Sequence, residues 1–279
     1  MAEKLKIAVI LLNWNGLTDT LECLESISKS KTSQIELLVY IVDNASGNQE
    51  LSKIKAKFPD YHYIQNKKNL GYSGGNNVGI NQAIQDGADY VCLLNNDTTV
   101  KADTFEKLAL GAVENKFDLS SPKIYFYPGR EFHKSDYTKS ERGKVIWYAG
   151  GRNDWANVIP HHRGVNEVDH GQWEKPENIE FASGCCLLIH KKVVVKIGGL
   201  DDTYKAYFED NDYCMKAKKQ GFSIGYVPQS KMWHKNASST GGSGSKQQRD
   251  LVDRSRFIFA MRYASLRAKL AIIRNRIKI

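Results

Sequence analysis

Three polar residues, Asn95, Asn96 and Asp97, follow a short apolar segment in the first hundred residues. That segment, Tyr90 to Leu94, is typical of a buried strand, which would carry the triplet to the edge of a sheet. A carboxylate at such an edge can hold a divalent cation against a diphosphate, because hard cations take oxygen ligands and bridge phosphates. The alternative is that Asp97 caps a helix predicted from Ala102 to Val113, since Asp is a favoured capping residue.

A second group of carboxylates lies at Glu209, Asp210 and Asp212, where another helix is predicted to begin. A positioned carboxylate can act as a general base and take the proton from an attacking hydroxyl. Adjacent residues of a helix point in different directions, so we expect only one of Glu209 and Asp210 to be that base, while the other could bind an acceptor. The alternative is that the group compensates the helix dipole, with Asp212 as a cap.

His234 lies shortly after Pro228 and just before a segment rich in glycine and serine, Ser238 to Ser245. A flexible loop beside an imidazole ligand fits a lid that closes over a bound ligand. A single histidine is more often structural, so this signal depends on its neighbours.

A glycine-rich segment, Asn69 to Asn77, precedes a predicted helix. Such turns can bring backbone N–H groups close to a ligand. The segment is not a P-loop, because no Gly-Lys-Ser/Thr follows, and it does not match the dinucleotide fingerprint, because it follows the third predicted strand rather than the first. A tight loop-to-helix turn is the alternative.

Strand and helix signals alternate through the first hundred of the 279 residues. Apolar runs predict strands at 5–12, 35–42, 61–65 and 90–94, and helical spacing predicts helices at 17–30, before Pro59 and at 77–85. The alternation predicts an α/β fold with a mostly parallel, Rossmann-like sheet flanked by helices. Ligands bind beyond the carboxyl ends of such strands, where the polar clusters around Asn13, Asp43, Asn69 and Asn95 would then lie.

The second half of the chain has fewer periodic signals. We predict a strand at 183–190, helices at 191–197 and 210–220, and a last strand at 223–227 that Pro228 stops. Residues 128–178 carry many charges, aromatics and glycines, and are expected to form a long functional or mobile loop.

Composition and charge narrow the class of protein. The net charge is +9, but eight basic and no acidic residues lie from Arg254 to Ile279, which leaves about +1 (9 − 8) for the rest. A nucleic-acid-binding core would place its basic residues elsewhere, so we expect no nucleic acid partner. No apolar stretch reaches the roughly 18 residues of a membrane span. With no signal peptide and no Cys-x-x-Cys among the five cysteines, a cytoplasmic location with reduced thiols is expected.

The motifs are most informative in their order along the chain. From the N-terminus they are Asn13–Gly16, Val42–Ser46, Asn69–Tyr72 with Gly75–Asn76, Asn95–Asp97, Ser183–Ile189, Gly199–Asp201, Glu209–Asp212 and Val227–Pro228 leading to His234. This ordered set resembles the inverting GT-A glycosyltransferases of family two, particularly their rhamnosyltransferase-like branch. The resemblance covers residues 5–236 and implies the GT-A fold.

The resemblance implies a nucleotide-sugar site and a metal site. Asp43 would bind the pyrimidine base, and Asp97 with His234 would hold Mn²⁺ or Mg²⁺. The triplet departs from the commoner Asp-x-Asp pattern by having Asn95, which can still hydrogen-bond a ribose hydroxyl. The residues implied for the nucleotide sugar are Asn13, Asn15, Asp43, Asn69, Gly71, Gly75, Asn76, Asn95, Asn96 and Asp97.

The resemblance also implies a catalytic pair and an acceptor site. Asp210 matches the family's base, with Glu209 beside it, and a single displacement with an oxocarbenium-like transition state would invert the anomeric carbon. The cation would neutralise the departing diphosphate. The residues assigned to the acceptor are Trp147, Gly150, Gly151 and Glu209.

The expected donor is a dTDP-linked deoxyhexose such as rhamnose, with a UDP-sugar as the alternative. The expected acceptor is a saccharide or a lipid-linked saccharide in cell-surface polysaccharide synthesis. Two other functions remain open. A sugar nucleotidyltransferase normally has a basic glycine-rich loop after the first strand, whereas here Asn13–Gly16 has no Lys or Arg nearby. A non-catalytic carbohydrate-binding module would use aromatics such as Trp147, Tyr148, Trp155 and Trp173.

We divide the chain into a catalytic domain, residues 1–245, and a C-terminal segment, residues 246–279. The catalytic domain has a nucleotide-binding half, about 1–100, and an acceptor and catalytic half, about 101–245. In that segment the spacing predicts one amphipathic helix with cations on both sides of an apolar stripe. The stripe consists of Phe259, Tyr263, Leu266, Leu270, Ile273 and Ile277. Such a helix fits the surface of an anionic membrane, here the inner membrane. The alternative is that the stripe packs on the domain or on a second subunit, as in a homodimer.

Overall fold

Four apolar runs near the start of the chain form parallel strands in the computed structural model, which describes residues 4–236 and 244–277. They are β1 (Leu5–Asn13), β2 (Ile35–Asp43), β3 (His62–Gln65) and β4 (Tyr90–Leu94), in the spatial order β3-β2-β1-β4. Residues 7–11 of β1 are completely buried, as expected where helices cover both faces of a parallel sheet. The predicted α/β fold is confirmed.

Further strands extend this sheet beyond β4 and make it mixed. They are β5 (Thr98–Val100), β6 (Leu119–Phe126), β7 (Ile146–Tyr148), β10 (Glu177–Asn178), β11 (Cys186–His190) and β12 (Ile224–His234). Strand β11 lies antiparallel between β4 and β6, whereas β12 is parallel to β6. The mostly parallel arrangement therefore describes the first half of the chain, where strands and helices alternate in sequence.

Eight α-helices lie in the described part of the chain. They are α1 (Leu17–Ile27), α2 (Glu50–Lys57), α3 (Gly71–Gln85), α4 (Thr104–Glu114), α5 (Lys191–Ile197), α6 (Glu209–Lys219), α7 (Lys246–Tyr263) and α8 (Leu266–Ile277). Helix α3 begins at Gly71 rather than at residue 77, because its glycines allow close packing on the sheet. A Cβ added at Gly75 would lie 2.4 Å from a methyl of Leu12, and one at Gly79 would lie 2.7 Å from Ile10.

Strand β12 does not end at Pro228, as the sequence predicted, but continues to His234. Its register against β6 shifts between Val227 and Lys231. A bulge of this kind tolerates proline, because the missing N–H is not needed in the ladder there. The continuation carries His234 to the ligand side of the sheet.

Residues 128–178 are more regular than predicted. They contain β7, β10 and a separate hairpin of β8 (Gly151–Asp154) with β9 (Ile159–His162). Lys123 of β6 is completely buried and forms ion pairs with Asp169 and Glu174. These long-range ion pairs fix the end of the segment to the sheet, which sequence periodicity cannot indicate.

The prediction of one continuous C-terminal helix is wrong, because α7 ends at Tyr263 and Ala264 adopts an extended conformation before α8. Phe259 of the predicted stripe is 1% exposed and packs against Trp155 and Phe208. In α8, by contrast, Leu266, Leu270 and Ile273 are 73%, 58% and 37% exposed. The two halves of the stripe therefore have opposite environments.

No helix in the described ranges is long and apolar enough to cross a membrane. The predicted Ser238–Ser245 loop lies mostly outside those ranges.

Candidate active site

A cavity of about 310 Å³ lies beyond the carboxyl ends of β1, β2 and β4. The predicted nucleotide-sugar residues that line it are Asn15, Asn69, Gly71, Asn95, Asn96 and Asp97. The strands bring these residues together because the ends of β1, β2 and β4 meet at one edge of the sheet. This is the edge where ligands bind in open parallel sheets.

Four other predicted nucleotide-sugar residues lie behind the cavity wall. Asn13 and Asp43 are 0% and 1% exposed, and the Asn13 amide donates to an Asp43 carboxylate oxygen at 3.1 Å. Gly75 packs on Leu12, and the buried Asn76 amide donates to the carbonyl of the preceding helical turn. In this structure these residues support the wall rather than form its surface.

The Asn96 side chain is held by α1. Its amide donates to the Thr20 hydroxyl at 2.9 Å, and that hydroxyl donates to Asn13 at 2.7 Å. A Cβ added at Gly16 would lie 2.6 Å from the Asn96 amide nitrogen, so Gly16 is what permits this approach. The hydrogen bond to Thr20 at the start of α1 thus orients Asn96, which lines the cavity.

Asp97 and His234, which the sequence predicts as joint metal ligands, lie in direct contact. His234 Nε2 is 3.1 Å from Asp97 Oδ1. Both residues are buried, at 4% and 6% exposure. The contact follows from the register of β12 against β5, in which His234 pairs with Thr98, and from the Lys235 N–H that donates to the Asp97 carbonyl at 2.9 Å.

This pair fits a divalent cation in its chemistry. A carboxylate oxygen and an imidazole nitrogen are both accepted ligands of Mn²⁺, and the His234 Nδ1 is buried without a hydrogen-bond partner among the described residues. No group of three or more His, Cys, Asp or Glu side chains within 4–236 and 244–277 could hold a metal. A cation here would therefore complete its coordination with donor phosphate oxygens and water.

The two catalytic candidates occupy the first turn of α6, in an environment that disfavours charge. Burial and the neighbouring Asp210 charge raise the pKa of Glu209 to about 8, and burial raises the pKa of Asp210. Asp210 Oδ2 accepts from the Gly184 N–H at 2.8 Å and Oδ1 from the Asn211 N–H at 2.7 Å. Glu209 Oε2 is buried with no hydrogen-bond partner among the described residues.

One short segment joins these groups. The Gly184 N–H binds Asp210, and the carbonyl of the next residue, Cys185, accepts from the Asn95 N–H at 3.0 Å. The Tyr72 hydroxyl, from the cavity wall, donates to the Gly184 carbonyl at 2.8 Å. The Asn95–Asp97 triplet and Asp210 are therefore attached to two adjacent residues.

Comparison with known proteins identifies the family. A model described as glycosyl transferase family 2 matches residues 8–198. The chain belongs to glycosyl transferase family 2. It is a GT-A glycosyltransferase, which confirms the family expected from the ordered motifs.

The chain is similar to two curated proteins and to one solved structure among those that match it. The chain is 24% identical over 220 residues to the low-salt glycan biosynthesis hexosyltransferase Agl10 of Haloferax volcanii, covering 78% of this chain and 64% of that protein. It is 24% identical over 228 residues to the N-acetylglucosaminyl-diphospho-decaprenol L-rhamnosyltransferase of Mycobacterium tuberculosis, covering 77% and 71% respectively. The chain thus spans less than two thirds of the first relative's length.

The solved structure is that of GalNAc-T7 with UDP, GalNAc and Mn²⁺. It matches with a TM-score of 0.66 over 94% of this chain and 48% of that chain, at 14% identity. At this identity the likeness shows the fold, and it agrees with the sheet and helix arrangement described above.

In this glycosyltransferase the predicted acceptor residues Trp147 and Gly151 both contact His162, in the strand pairing of Gly151 and in a ring contact of Trp147. The Trp147 ring lies between two imidazoles, with its centroid 4.6 Å from His234 and 4.4 Å from His162. Gly150 and Gly151 are buried in the hairpin region, where a Cβ added at Gly151 would lie 2.5 Å from the Phe181 carbonyl. Trp147 is therefore beside the Asp97–His234 pair. Close packing against other segments of the same protein explains why residues 150 and 151 are glycines.

The aromatics that favoured a carbohydrate-binding module are used inside the glycosyltransferase. Tyr148 is completely buried, Trp155 stacks on Phe259, and Trp173 covers the Arg163 guanidinium at 4.5 Å. They do not form an exposed platform of the kind on which a sugar ring stacks.

Sequence reasoning missed several residues of the cavity wall. They are Asp19, Lys205, Gln247 and Leu251, whereas Trp14 and Tyr72 belong to the motifs Asn13–Gly16 and Asn69–Tyr72. Gln247 and Leu251 belong to α7, which the sequence assigned to a separate segment. A basic, periodic C-terminal stretch gives no local signal that it lines a cavity formed by the first hundred residues.

Proposed function

We propose that this glycosyltransferase transfers rhamnose or a similar hexose from a dTDP- or UDP-sugar to a hydroxyl of a saccharide or lipid-linked acceptor, with inversion, in cell-surface polysaccharide synthesis. The observation that carries the proposal is the joint attachment of the Asn95–Asp97 triplet and Asp210 to Gly184 and Cys185. It supports a metal-binding pair and a base that act on one bound donor. The printed name of the mycobacterial relative supports both rhamnose as the sugar and a lipid diphosphate acceptor.

The donor would occupy the cavity, with the nucleoside toward β1 and β2 and the diphosphate toward Asp97. Asn95 offers an amide to a ribose hydroxyl. Asp43 remains our candidate to bind the pyrimidine base, which would reach it after a small opening of the cavity wall. Lys205 is the one cation among the described residues of the cavity lining. We assign it to the diphosphate, because a lysine acts there as a compact counter-charge.

Asp97 and His234 would hold the cation, Mn²⁺ or Mg²⁺, against the donor diphosphate. When bound, the cation supplies Lewis-acid stabilisation of the charge that develops on the leaving diphosphate. The carboxylate of Asp97 suits either cation, and the imidazole of His234 is an unusual ligand for Mg²⁺, which is the reason that the tests below use Mn²⁺ first.

Asp210 would accept the proton of the acceptor hydroxyl. Its raised pKa increases its basicity, while the Gly184 and Asn211 N–H groups fix the direction of its lone pairs. The hydroxyl oxygen then attacks the anomeric carbon from the face opposite the diphosphate, which inverts the configuration. Glu209 would contact the acceptor as a protonated acid, because its pKa is raised to about 8.

Helix α8 would bind an anionic membrane surface. Its inner face packs on α7 through Ala268 and Ile272, whereas Leu266, Leu270 and Ile273 face outward. Arg267 and Arg274 lie on one side of this stripe, and Lys269 and Arg276 on the other, as helical spacing requires. An exposed apolar stripe between cations matches the headgroup region of a membrane.

The test is a donor screen with the purified full-length chain, Mn²⁺ and a lipid-diphosphate saccharide acceptor. We expect transfer from dTDP-rhamnose or a UDP-hexose and none from the Asp97→Ala variant. Synthesis of a nucleotide sugar from a sugar phosphate and a nucleoside triphosphate would instead establish a nucleotidyltransferase. Saccharide binding without any nucleotide binding would establish a binding module.

A further inference from the structure

The turn that leads into the proposed base is strained. Tyr207 and Phe208, directly before Glu209 and Asp210, have φ angles of +66° and +68°. Left-handed backbone is unfavourable for bulky residues other than glycine, and two in succession persist only where surrounding structure holds them. The source of that support determines where Asp210 points.

Helix α7 contacts each residue of this turn. The Ser255 hydroxyl donates to the Ala206 carbonyl at 2.8 Å, and the Gln248 amide donates to the Tyr207 hydroxyl at 3.1 Å. The Phe259 ring lies 5.3 Å from the Phe208 ring, centroid to centroid, and Phe259 is 1% exposed. Three consecutive residues before the carboxylates are thus held from one side by one helix.

The same helix also binds the first turn of α6, beyond the carboxylates. Arg262 Nη1 donates to Asp212 Oδ1 at 2.9 Å and to Asp201 Oδ2 at 2.7 Å. The Tyr263 hydroxyl donates to the same Asp212 oxygen at 2.9 Å. Asp212 is completely buried, whereas the Arg262 side chain is 33% exposed. Helix α7 therefore fastens the chain on both sides of Glu209 and Asp210.

We propose that α7 is a positioning element of the catalytic site, in which Ser255 and Phe259 hold the turn before the carboxylates and Arg262 holds Asp212 after them, so that Asp210 faces the acceptor hydroxyl. The inference rests on the proposed role of Asp210 as base. The residues of α7 touch no reacting atom and act through the turn. Loss of this support lowers turnover more than donor binding, because Phe259 contacts Phe208 directly before the carboxylates, whereas α7 reaches the donor cavity through other residues, Gln247 and Leu251.

The test compares three variants with the wild-type chain: Phe259→Ala, Phe259→Leu and the control Arg254→Ala. Arg254 is an exposed residue of α7 whose side chain forms no hydrogen bond or ion pair with the described residues. The measurements are kcat, KM for the donor, the Kd of dTDP or UDP with Mn²⁺, and the melting temperature. We expect Phe259→Ala to lower kcat about 10- to 100-fold, the loss that follows a displacement of about 1 Å. The Kd of the nucleotide should stay within about twofold of wild type, because the variant keeps the contacts that bind the donor equally in the ground state and the transition state.

Phe259→Leu should recover most of the turnover, because it refills the space against Phe208, and Arg254→Ala should match wild type. If Phe259→Ala does not fold, Ser255→Ala provides the test, since it removes one hydrogen bond and should lower kcat about threefold or more, roughly the worth of that bond. The proposal is overturned if the folded variants keep wild-type kcat, or if Kd weakens in proportion to kcat. An Asp210→Asn variant separates the two proposals. Full turnover of Asp210→Asn would show that Asp210 is not the general base. An inactive Asp210→Asn together with a fully active Phe259→Ala would contradict only the positioning role of α7.

Discussion

His234 Nε2 lies 3.1 Å from Asp97 Oδ1, although Asp97 lies between β4 and β5 and His234 is the last residue of β12, far along the chain. The contact exists because β12 passes through Pro228 with a bulge and then pairs with β5. A strand that ended at Pro228 would leave His234 in a loop. The register of two strand ends thus creates the pair that we assign to the metal.

Substitution of either residue of this pair should weaken metal-dependent nucleotide binding. Asp97→Asn keeps the shape of the side chain but removes its charge, and His234→Ala removes the imidazole. We expect each to weaken the binding of UDP or dTDP in the presence of Mn²⁺ by about tenfold or more, as loss of a ligand or of its orientation does. Calorimetry with and without Mn²⁺ measures the effect.

The matched control for the metal site is His133→Ala, because His133 is exposed and is not part of the cavity lining. It should bind Mn²⁺ and nucleotide as the wild type does. Removal of the cation with EDTA should reduce the wild type to the level of His234→Ala, and Mn²⁺ should restore activity better than Mg²⁺. Equal nucleotide binding by all variants, with EDTA present or absent, would contradict the assignment of Asp97 and His234 as metal ligands.

Substitution of the proposed base should reduce turnover while donor binding is kept. Asp210→Asn can still occupy the space near Gly184 but cannot accept the acceptor proton. We expect kcat to fall about 10²- to 10⁴-fold, the usual contribution of general acid–base catalysis. NMR of the wild-type product should show an inverted anomeric configuration. The exposed Asp202→Asn should be fully active, and retention of configuration would contradict the direct displacement.

Glu209 should make the protein less stable as pH rises. Its pKa is raised by burial and by Asp210 to about 8 in the folded chain, from an ordinary value of 4.5. The folded state therefore holds a proton that the unfolded state has lost, and the free energy of unfolding falls as pH increases through this window. Glu209→Gln has no carboxyl group at this position to lose a proton. The melting temperature of Glu209→Gln relative to wild type should therefore rise steadily between about pH 5 and pH 8, the window set by the unfolded and folded pKa values of Glu209.

The measurement is thermal unfolding in EDTA at several pH values, with the exposed Glu114→Gln as control. That control should follow the wild type at every pH. Turnover of Glu209→Gln near pH 7 should remain within about tenfold of wild type, because glutamine resembles the protonated acid. Loss of all turnover in Glu209→Gln but not in Asp210→Asn would exchange the two roles.

The parts of the fold that could be predicted are those with local signals. Strands β1, β2 and β4 are continuous apolar runs because both of their faces are buried, and the polar residues that follow them had to meet at one edge. The contact of Asp97 with His234 depends on strand register and a bulge, which a local rule for proline misjudged. The family's motif order supplied what the local pattern could not.

The C-terminal segment shows why the rest could not be predicted. Helical spacing continues from Phe259 through Leu266 without interruption, so a single amphipathic helix fits the sequence as well as two. The break at Ala264 and the burial of Phe259 arise from tertiary contacts with Phe208, Trp155 and Asp212. The same contacts place Gln247 and Leu251 on the cavity wall.

Helix α8 provides a prediction about membranes. The wild-type chain should sediment with vesicles that contain phosphatidylglycerol and much less with pure phosphatidylcholine, because cations flank the exposed stripe of Leu266, Leu270 and Ile273. Salt at about 1 M should weaken this binding, since the Debye length falls to about 3 Å. A variant with all three residues changed to serine should lose at least about tenfold in partitioning, since burying each such side chain contributes about 1.5–3 kcal/mol when complete.

The matched control for the α8 variant replaces two equally exposed apolar residues elsewhere, Val113→Ser and Val195→Ser, which are 50% and 76% exposed. It should sediment with anionic vesicles as the wild type does, because neither residue lies on α8. Equal sedimentation of the triple serine variant and the wild type would show that α8 does not bind the membrane. A dimer in analytical ultracentrifugation that only the triple variant loses would show instead that the stripe packs on a second subunit, in which case the wild type should stay in the supernatant with every vesicle.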